Sequence, residues 1–120
     1  MYKELKAYQK AFDLAMKIFE VTKTFPKEER FALIDQIRRS SRSVCSNMAE
    51  GYRKRLYVKH FVAKLSDADM ENAETQLWLD FALSCKYLSK DSHDGLFEDS
   101  LEVGRLLGFM IQNPNKFRKR

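Results

Sequence analysis

Tyr57-Val-Lys-His-Phe-Val-Ala-Lys-Leu-Ser-Asp-Ala-Asp-Met-Glu-Asn-Ala-Glu-Thr-Gln-Leu-Trp-Leu-Asp-Phe-Ala-Leu-Ser-Cys-Lys-Tyr87 is the stretch whose reading decides the fold. Along it, Phe61, Leu65, Ala68, Asn72, Thr75, Leu79 and Ala82 alternate spacings of four and three residues. Residues three and four apart share a helix face, so this is the seam of one long packed helix over about 57–87. A second stripe holds Val62, Met70, Ala73, Leu77, Phe81 and Leu88. A helix with two apolar faces has more to bury than a single bundle seam requires.

The pattern repeats on either side. Upstream, Tyr52-Arg-Lys-Arg-Leu56 reads as a linker and Gly51 as the C-cap of a second helix that starts near residue 26 and ends near Glu50. Its seam runs through Ile34, Ile37, Ser41, Val44 and Met48. Ser40, Ser41, Ser43 and Ser46 let another backbone come close, and their hydroxyls can bond back to the preceding turn. Thr24-Phe-Pro-Lys-Glu-Glu29 is a turn and helix start, with Pro26 tolerated in a first turn and Glu28 and Glu29 suited to the positive end of the dipole. Leu5, Tyr8, Phe12, Ala15 and Phe19 define a first helix over about 3–23. Downstream, Ser89-Lys-Asp-Ser-His-Asp94 is a turn with Asp91 or Ser92 as N-cap. The fourth helix, about 93–112, carries Leu96, Val103, Leu107 and Met110 on one side and Phe97, Leu101 and Ile111 on another. Asn113-Pro114 ends it.

Short connections between four helices imply antiparallel neighbours. The expected fold is therefore all-α: an up-down-up-down four-helix bundle over residues 1–114, followed by a frayed basic tail at 115–120. Four Gly and two Pro in 120 residues leave little turn chemistry for a multi-stranded sheet. Cys45 and Cys85, with no CxxC and no histidine partner, read as reduced core residues. Met1-Tyr-Lys-Glu-Leu-Lys6 lacks the apolar run of a signal peptide, and no 18 apolar residues run together, so the expected location is the cytoplasm.

Charge is segregated. From Arg38 to Lys64, eight basic residues face one acid, Glu50, whereas from Asp67 to Glu102 ten acids face Lys86 and Lys90. Such a layout suits phosphate contact, or basic and acidic surfaces meeting between subunits.

Catalytic chemistry finds little support. His60 and His93 each lack a His or Cys ligand one turn away, there is no Glu-x-x-His motif for a di-iron bundle, and the glycines fit no nucleotide fingerprint. No metal or cofactor is expected, and the chain reads as a non-enzyme. Glu71 and Glu74, three apart, suit a polar network with Asn47 and Glu50, with Glu50 and Glu74 pairing with Arg38 or Arg39 and bonding to Asn47, better than they suit acid/base work. The basic residues point to nucleic acid. Arg38 and Arg42 lie one helical turn apart beside Arg39, and Arg53, Lys54 and Arg55 are flanked by Tyr52 and Tyr57, whose rings can stack on bases. With Lys59 and the tail cations Lys116, Arg118, Lys119 and Arg120 they form the candidate phosphate-binding set. Trp78, between Leu77 and Leu79, reads as core or subunit contact.

At Gln36-Ile-Arg-Arg-Ser-Ser-Arg-Ser-Val-Cys-Ser-Asn-Met-Ala-Glu-Gly51 the chain resembles the four-helix-bundle family of 23S rRNA intervening-sequence proteins. Tyr8-Gln-Lys-Ala11, Phe25-Pro-Lys-Glu-Glu-Arg30 and Glu71-x-x-Glu-Thr-Gln-Leu77 extend the likeness over nearly the whole chain. Two departures stand out: Val44-Cys45 replaces the usual Ile-Pro, removing a proline kink, and Arg42 replaces a small or apolar residue. The resemblance implies an antiparallel bundle, ring-like homopentamers and no known enzymatic activity. It also implies a likeness to the accessory variability determinant of diversity-generating retroelements, which binds nucleic acid and a reverse transcriptase.

The expected function is thus a nucleic-acid-associated binding protein contacting RNA or DNA phosphates, with a structural or protein-interaction scaffold as the rival. The surplus apolar residues Phe81, Phe97, Leu101 and Ile111 predict a homo-oligomer interface, and segregated charge makes a head-to-tail ring feasible.

Overall fold

The computed structural model describes residues 1–119. Four α-helices account for most of them: α1 Lys6–Thr22, α2 Leu33–Arg53, α3 Val58–Ser84 and α4 Lys90–Gln112. Short 3₁₀ turns at Tyr2–Glu4, Lys27–Glu29 and Pro114–Phe117 complete the order, and there is no strand among the described residues. At 1.5 Å per residue α3 is about 40 Å long. It runs most of the 45 Å length of the molecule.

Two apolar clusters show how the helices run. One gathers Ala7 and Ala11 from the start of α1, Val44 and Met48 from the end of α2, Phe61 and Leu65 from the start of α3, and Leu107 and Met110 from the end of α4. The other gathers Leu14 and Ile18, Leu33 and Ile37, Leu79 and Ala82, and Leu96. Each helix enters one cluster and leaves through the other in the sense opposite to its predecessor, so consecutive helices are antiparallel. Each packs on the next and α1 closes against α4, which places α1 and α3 diagonally opposite.

Between the clusters lies a polar layer. Ser40, Ser41, Asn72, Thr75 and Ser100 are buried there. The Ser40 and Thr75 hydroxyls bond at 2.8 Å, and Thr75 Oγ1 also reaches the Glu71 carbonyl at 2.9 Å. Asn72 and Ser100 exchange two bonds, and Gln76 donates to Ser100 Oγ at 3.0 Å. With Ser41 Oγ donating to the Arg38 carbonyl at 3.2 Å, each of these five side chains has a partner, as low-dielectric burial demands.

Several helix ends differ from the sequence reading. The second helix begins at Leu33, seven residues later than expected, because Lys27–Glu29 forms a separate 3₁₀ turn and Ala32 adopts φ −124, ψ −104. Glu29 caps the helix from outside by accepting the Leu33 N–H at 3.3 Å. Gly51 is not a C-cap. It is helical and buried, and a Cβ there would sit 2.8 Å from Lys64 Cβ, so the absent side chain lets α2 and α3 cross closely. The third helix stops at Ser84 because Lys86 takes φ 65 and Tyr87 N–H bonds to the Ala82 carbonyl, a left-handed termination without glycine. The fourth starts at Lys90, capped by Ser89 Oγ rather than by Asp91 or Ser92.

Cys45 is buried, and burial pushes its thiol up to about 11. Cys85, expected in the core, is exposed just past the end of α3. Trp78 is partly buried against the second cluster. No helix is long and apolar enough to cross a membrane among the described residues.

Candidate nucleic-acid interface

The α2–α3 connection leaves the bundle at the end where α4 also finishes. Here the described part of the tail, residues 114–119, lies against the bundle. Asn113-Pro114 stops α4, Pro114–Phe117 makes a 3₁₀ turn, and Phe117 packs on Phe61 and Phe109 with ring centroids 6.4 and 6.3 Å away. Two arginines then fasten tail to turn: Arg55 Nε donates to the Lys119 carbonyl at 3.2 Å and an Arg118 guanidinium N–H to the Leu56 carbonyl at 3.4 Å. Arg55 is itself held by the Tyr52 carbonyl at 3.1 Å, with its guanidinium 4.3 Å from the centre of the Tyr52 ring.

The fold therefore joins two candidate groups that lie about sixty residues apart in the chain. Arg53, Lys54, Arg55, Lys59, Lys116, Arg118 and Lys119 share this end, and none meets an acid within ion-pair distance among the described residues. The segment from Gly51 to Ser66 contains no acid at all. Unpaired cations keep their full field toward solvent, which is the condition for attracting phosphate. Arg120 lies outside the described residues.

Three arginines in the middle of α2, Arg38, Arg39 and Arg42, fare differently. They border an open groove of about 530 Å³ with Arg30, Asp35, Ser43 and Ser46. Arg38 is spent inside the protein: its Nε donates to Thr22 Oγ1 at 2.8 Å, a guanidinium N–H reaches the Phe19 carbonyl at 3.2 Å, and the group stacks 4.6 Å from the Phe19 ring. This is a C-terminal cap on α1, a favourable place for a cation. Arg39 binds Glu71 and Glu74. Of the three, only Arg42 is exposed with no acid partner among the described residues, and it lies roughly 16 Å along the helix from Arg53.

The polar network is divided in the same way. Arg39 joins Glu71 to Glu74, while Lys64 bonds Glu50 at 2.7 Å and Asn47 at 3.4 Å; Asn47 also donates to the Ser43 carbonyl at 2.9 Å. The expected pairing of Glu50 with an arginine is replaced by Lys64, because α2 and α3 approach closely at Gly51 and bring Lys64 within reach. The hydrogen bond to Glu50 holds the Lys64 ammonium above its usual range.

Of the surplus apolar residues, Phe81 and Leu101 are exposed. Phe97 and Ile111 instead pack against the two clusters, since their positions on α4 fall at the flank of its buried stripe. The outer stripe of α3 is bare: Met70 is 70 %, Leu77 48 % and Phe81 50 % exposed. Sequence reasoning missed a second stripe. α1 turns inward the face of Ala7, Ala11, Leu14, Ala15 and Ile18; of the expected seam Leu5, Tyr8, Phe12, Ala15 and Phe19 only Ala15 is buried, and Phe12 and Met16, four apart, lie half exposed.

His93, expected in a turn, lies in the first turn of α4 and is buried. Its Nε2 is 2.8 Å from Asp80 on α3 and its Nδ1 2.9 Å from Asp94. No group of three His, Cys, Asp or Glu side chains is arranged to hold a metal ion among the described residues.

Fold and site together define an antiparallel four-helix bundle with one cation-rich end. A family model described as 23S rRNA-intervening sequence protein matches residues 3–108, and the chain belongs to that family. Among solved structures, it is similar to a protein of unknown function from the S23 ribosomal protein family of Bacteroides thetaiotaomicron VPI-5482. The TM-score is 0.81 at 27 % identity, covering 94 % of this chain and 100 % of that one. No curated protein matches.

Proposed function

We propose that the protein is a non-enzymatic, cytoplasmic nucleic-acid-binding member of its family that grips phosphates with the bundle end formed by Arg53, Lys54, Lys59 and the tail. One observation carries this reading: the tail folds back onto the α2–α3 turn, bringing together cations from two distant segments with no acid among them. The family description, which refers to 23S rRNA, agrees in class. Arg38, bonded to the end of α1, and Arg39, ion-paired at the surface with Glu71 and Glu74, drop out of the phosphate set. A titration of labelled structured RNA and DNA at about 50 and about 200 mM salt tests it, because each neutralised phosphate releases condensed counterion and steepens the salt dependence. Changing Arg53, Lys54 and Lys59 together to Ala should flatten that slope and weaken binding. Salt-independent affinity, or an unaffected triple variant, would sink the reading.

A second reading, assembly into a homo-oligomeric scaffold, is favoured by the bare stripes on α1 and α3. Because these helices are diagonal, one copy's α3 can meet the next copy's α1, a head-to-tail contact that closes into a ring when the rotation allows. The resemblance to pentameric relatives suggests five subunits, and a protein partner such as a reverse transcriptase rests on that resemblance alone. Light scattering decides: a multiple of 14.2 kDa supports assembly, and a particle of 14.2 kDa ends it.

A further inference from the structure

The proposed phosphate-binding end contains an aromatic ring that neither the core nor the apolar faces use. Tyr57 precedes α3 by one residue and is 63 % exposed. It sits four residues before Phe61, on the seam that the bundle buries, but one turn beyond the point where neighbouring helices cover that seam. Its position is off the outer stripe of Met70, Leu77 and Phe81, so a second copy seated on that stripe has no reason to cover it. Its backbone is held at both ends: its N–H bonds to the Lys54 carbonyl at 2.8 Å and its carbonyl accepts from Phe61 N–H at 2.9 Å. Lys54 Nζ lies 5.9 Å from the ring centre, and the His60 ring stands edge-on to it at 6.4 Å.

Tyr52 lacks that freedom. It is partly buried, and the Arg55 guanidinium already occupies one of its faces at 4.3 Å. Lys54 lies over one face of Tyr57 too, but at 5.9 Å, so of the two tyrosines in the basic segment Tyr57 offers the more open ring, beside cations with no acid partner among the described residues.

We propose that this end takes single-stranded nucleic acid, with one unpaired base stacked on Tyr57 and the flanking phosphates held by Lys54 and Lys59. This rests on the function proposed above and narrows it. An open π-face accepts any unpaired base, whereas the bases of a duplex are stacked on one another and cannot reach it. Stacking and phosphate contact do not read a 2′-hydroxyl, so single-stranded RNA and DNA should bind comparably.

The test is fluorescence anisotropy of the full chain with a labelled short single-stranded RNA, the same sequence as DNA, and the matching duplex. Wild type, Tyr57→Ala, Tyr57→Phe and the Arg53, Lys54, Lys59 triple-alanine variant are compared, with circular dichroism as the folding control. Tyr57→Ala should lose about tenfold in affinity for both single strands and nothing for the duplex, and Tyr57→Phe should restore it. If the alanine variant binds the single strands as wild type does, or loses the duplex equally, the stacking assignment is overturned while a salt-dependent triple-variant effect keeps the phosphate-binding function. If none of the three nucleic acids binds, both fall. A large preference for RNA over single-stranded DNA would also overturn this account, since it needs a group that reads the ribose.

Discussion

Asn72 and Ser100 close a ring of two hydrogen bonds between α3 and α4: Asn72 Nδ2 donates to the Ser100 carbonyl at 2.9 Å, and Ser100 Oγ donates to Asn72 Oδ1 at 2.8 Å. The pair sits in the polar layer that separates the two apolar clusters. Truncating Asn72→Ala removes one hydrogen bond from each of two buried Ser100 groups and leaves the hydroxyl proton without its acceptor, although Gln76 still donates to Ser100 Oγ; an unsatisfied buried group costs about 1–3 kcal/mol. Urea unfolding should therefore show a loss of about 2–4 kcal/mol. The double variant Asn72→Ala with Ser100→Ala should lose less than the sum of its parts. Strict additivity would mean the two residues are uncoupled.

Gly51 and Gly95 are both helical, yet they should respond to alanine in opposite directions. Alanine gains up to about 1 kcal/mol over glycine in a helix interior. At Gly95 and Gly108 nothing lies within 4 Å of the new methyl, so that gain should appear as a higher urea midpoint. At Gly51 the methyl meets Lys64 Cβ at 2.8 Å, which is fixed to the α3 backbone and cannot swing away. Gly51→Ala should therefore destabilise by about 1–3 kcal/mol, the usual range for overpacking.

Arg38→Ala should act on stability and not on nucleic acid. The substitution removes the cap on α1 and leaves the Phe19 carbonyl and Thr22 hydroxyl with one partner fewer. A loss of about 1–2 kcal/mol in chemical denaturation is expected, from hydrogen bonds to a charged group. RNA and DNA titrations of the folded variant should match wild type; selective loss of binding would return Arg38 to the phosphate set.

His93 supplies a pH dependence. Burial alone lowers its pKa, but hydrogen bonds from the ring to Asp94 and Asp80, with the charges of both carboxylates, together hold it above the usual value. A neutral imidazole has a single N–H and cannot donate to both acids, so the clamp is complete only in the protonated form. Because the folded pKa is raised, the stabilisation is fully present below the unfolded value of about 6.5 and is lost as pH rises through the folded one. Thermal unfolding of wild type against His93→Gln should show a wild-type advantage at pH 5.5 that shrinks by pH 8.5. A constant gap across that range would show that the ring works by packing on Phe97, 5.3 Å away, instead of by charge.

Phe117→Ala tests the anchored tail. The ring contacts Phe61 and Phe109, and losing two aromatic pairs plus part of its burial should cost about 1–3 kcal/mol in urea unfolding. The released tail should also exchange amide protons faster and bind nucleic acid more weakly. An unchanged affinity would make the tail cations bystanders.

Local patterning alone determined that the chain makes four antiparallel helices. The three-and-four spacing of Phe61, Leu65, Ala68, Asn72, Thr75, Leu79 and Ala82 specifies a buried face whatever the neighbours are, and all seven are buried. Helix ends were less legible. Lys86 ends α3 in a left-handed conformation without the glycine that usually marks one, while Gly51, which looked like a stop, is a contact. The fate of each charged residue belonged to the tertiary structure. Arg38, Arg39 and Arg42 are alike in sequence, yet the rotation of α2 against α1 and α3 makes one a helix cap and one an ion-pair partner, and leaves one open. The meeting of Arg55 with Lys119 was likewise invisible. A partner sixty-four residues away is chosen by where helices end in space, and no local propensity encodes that distance.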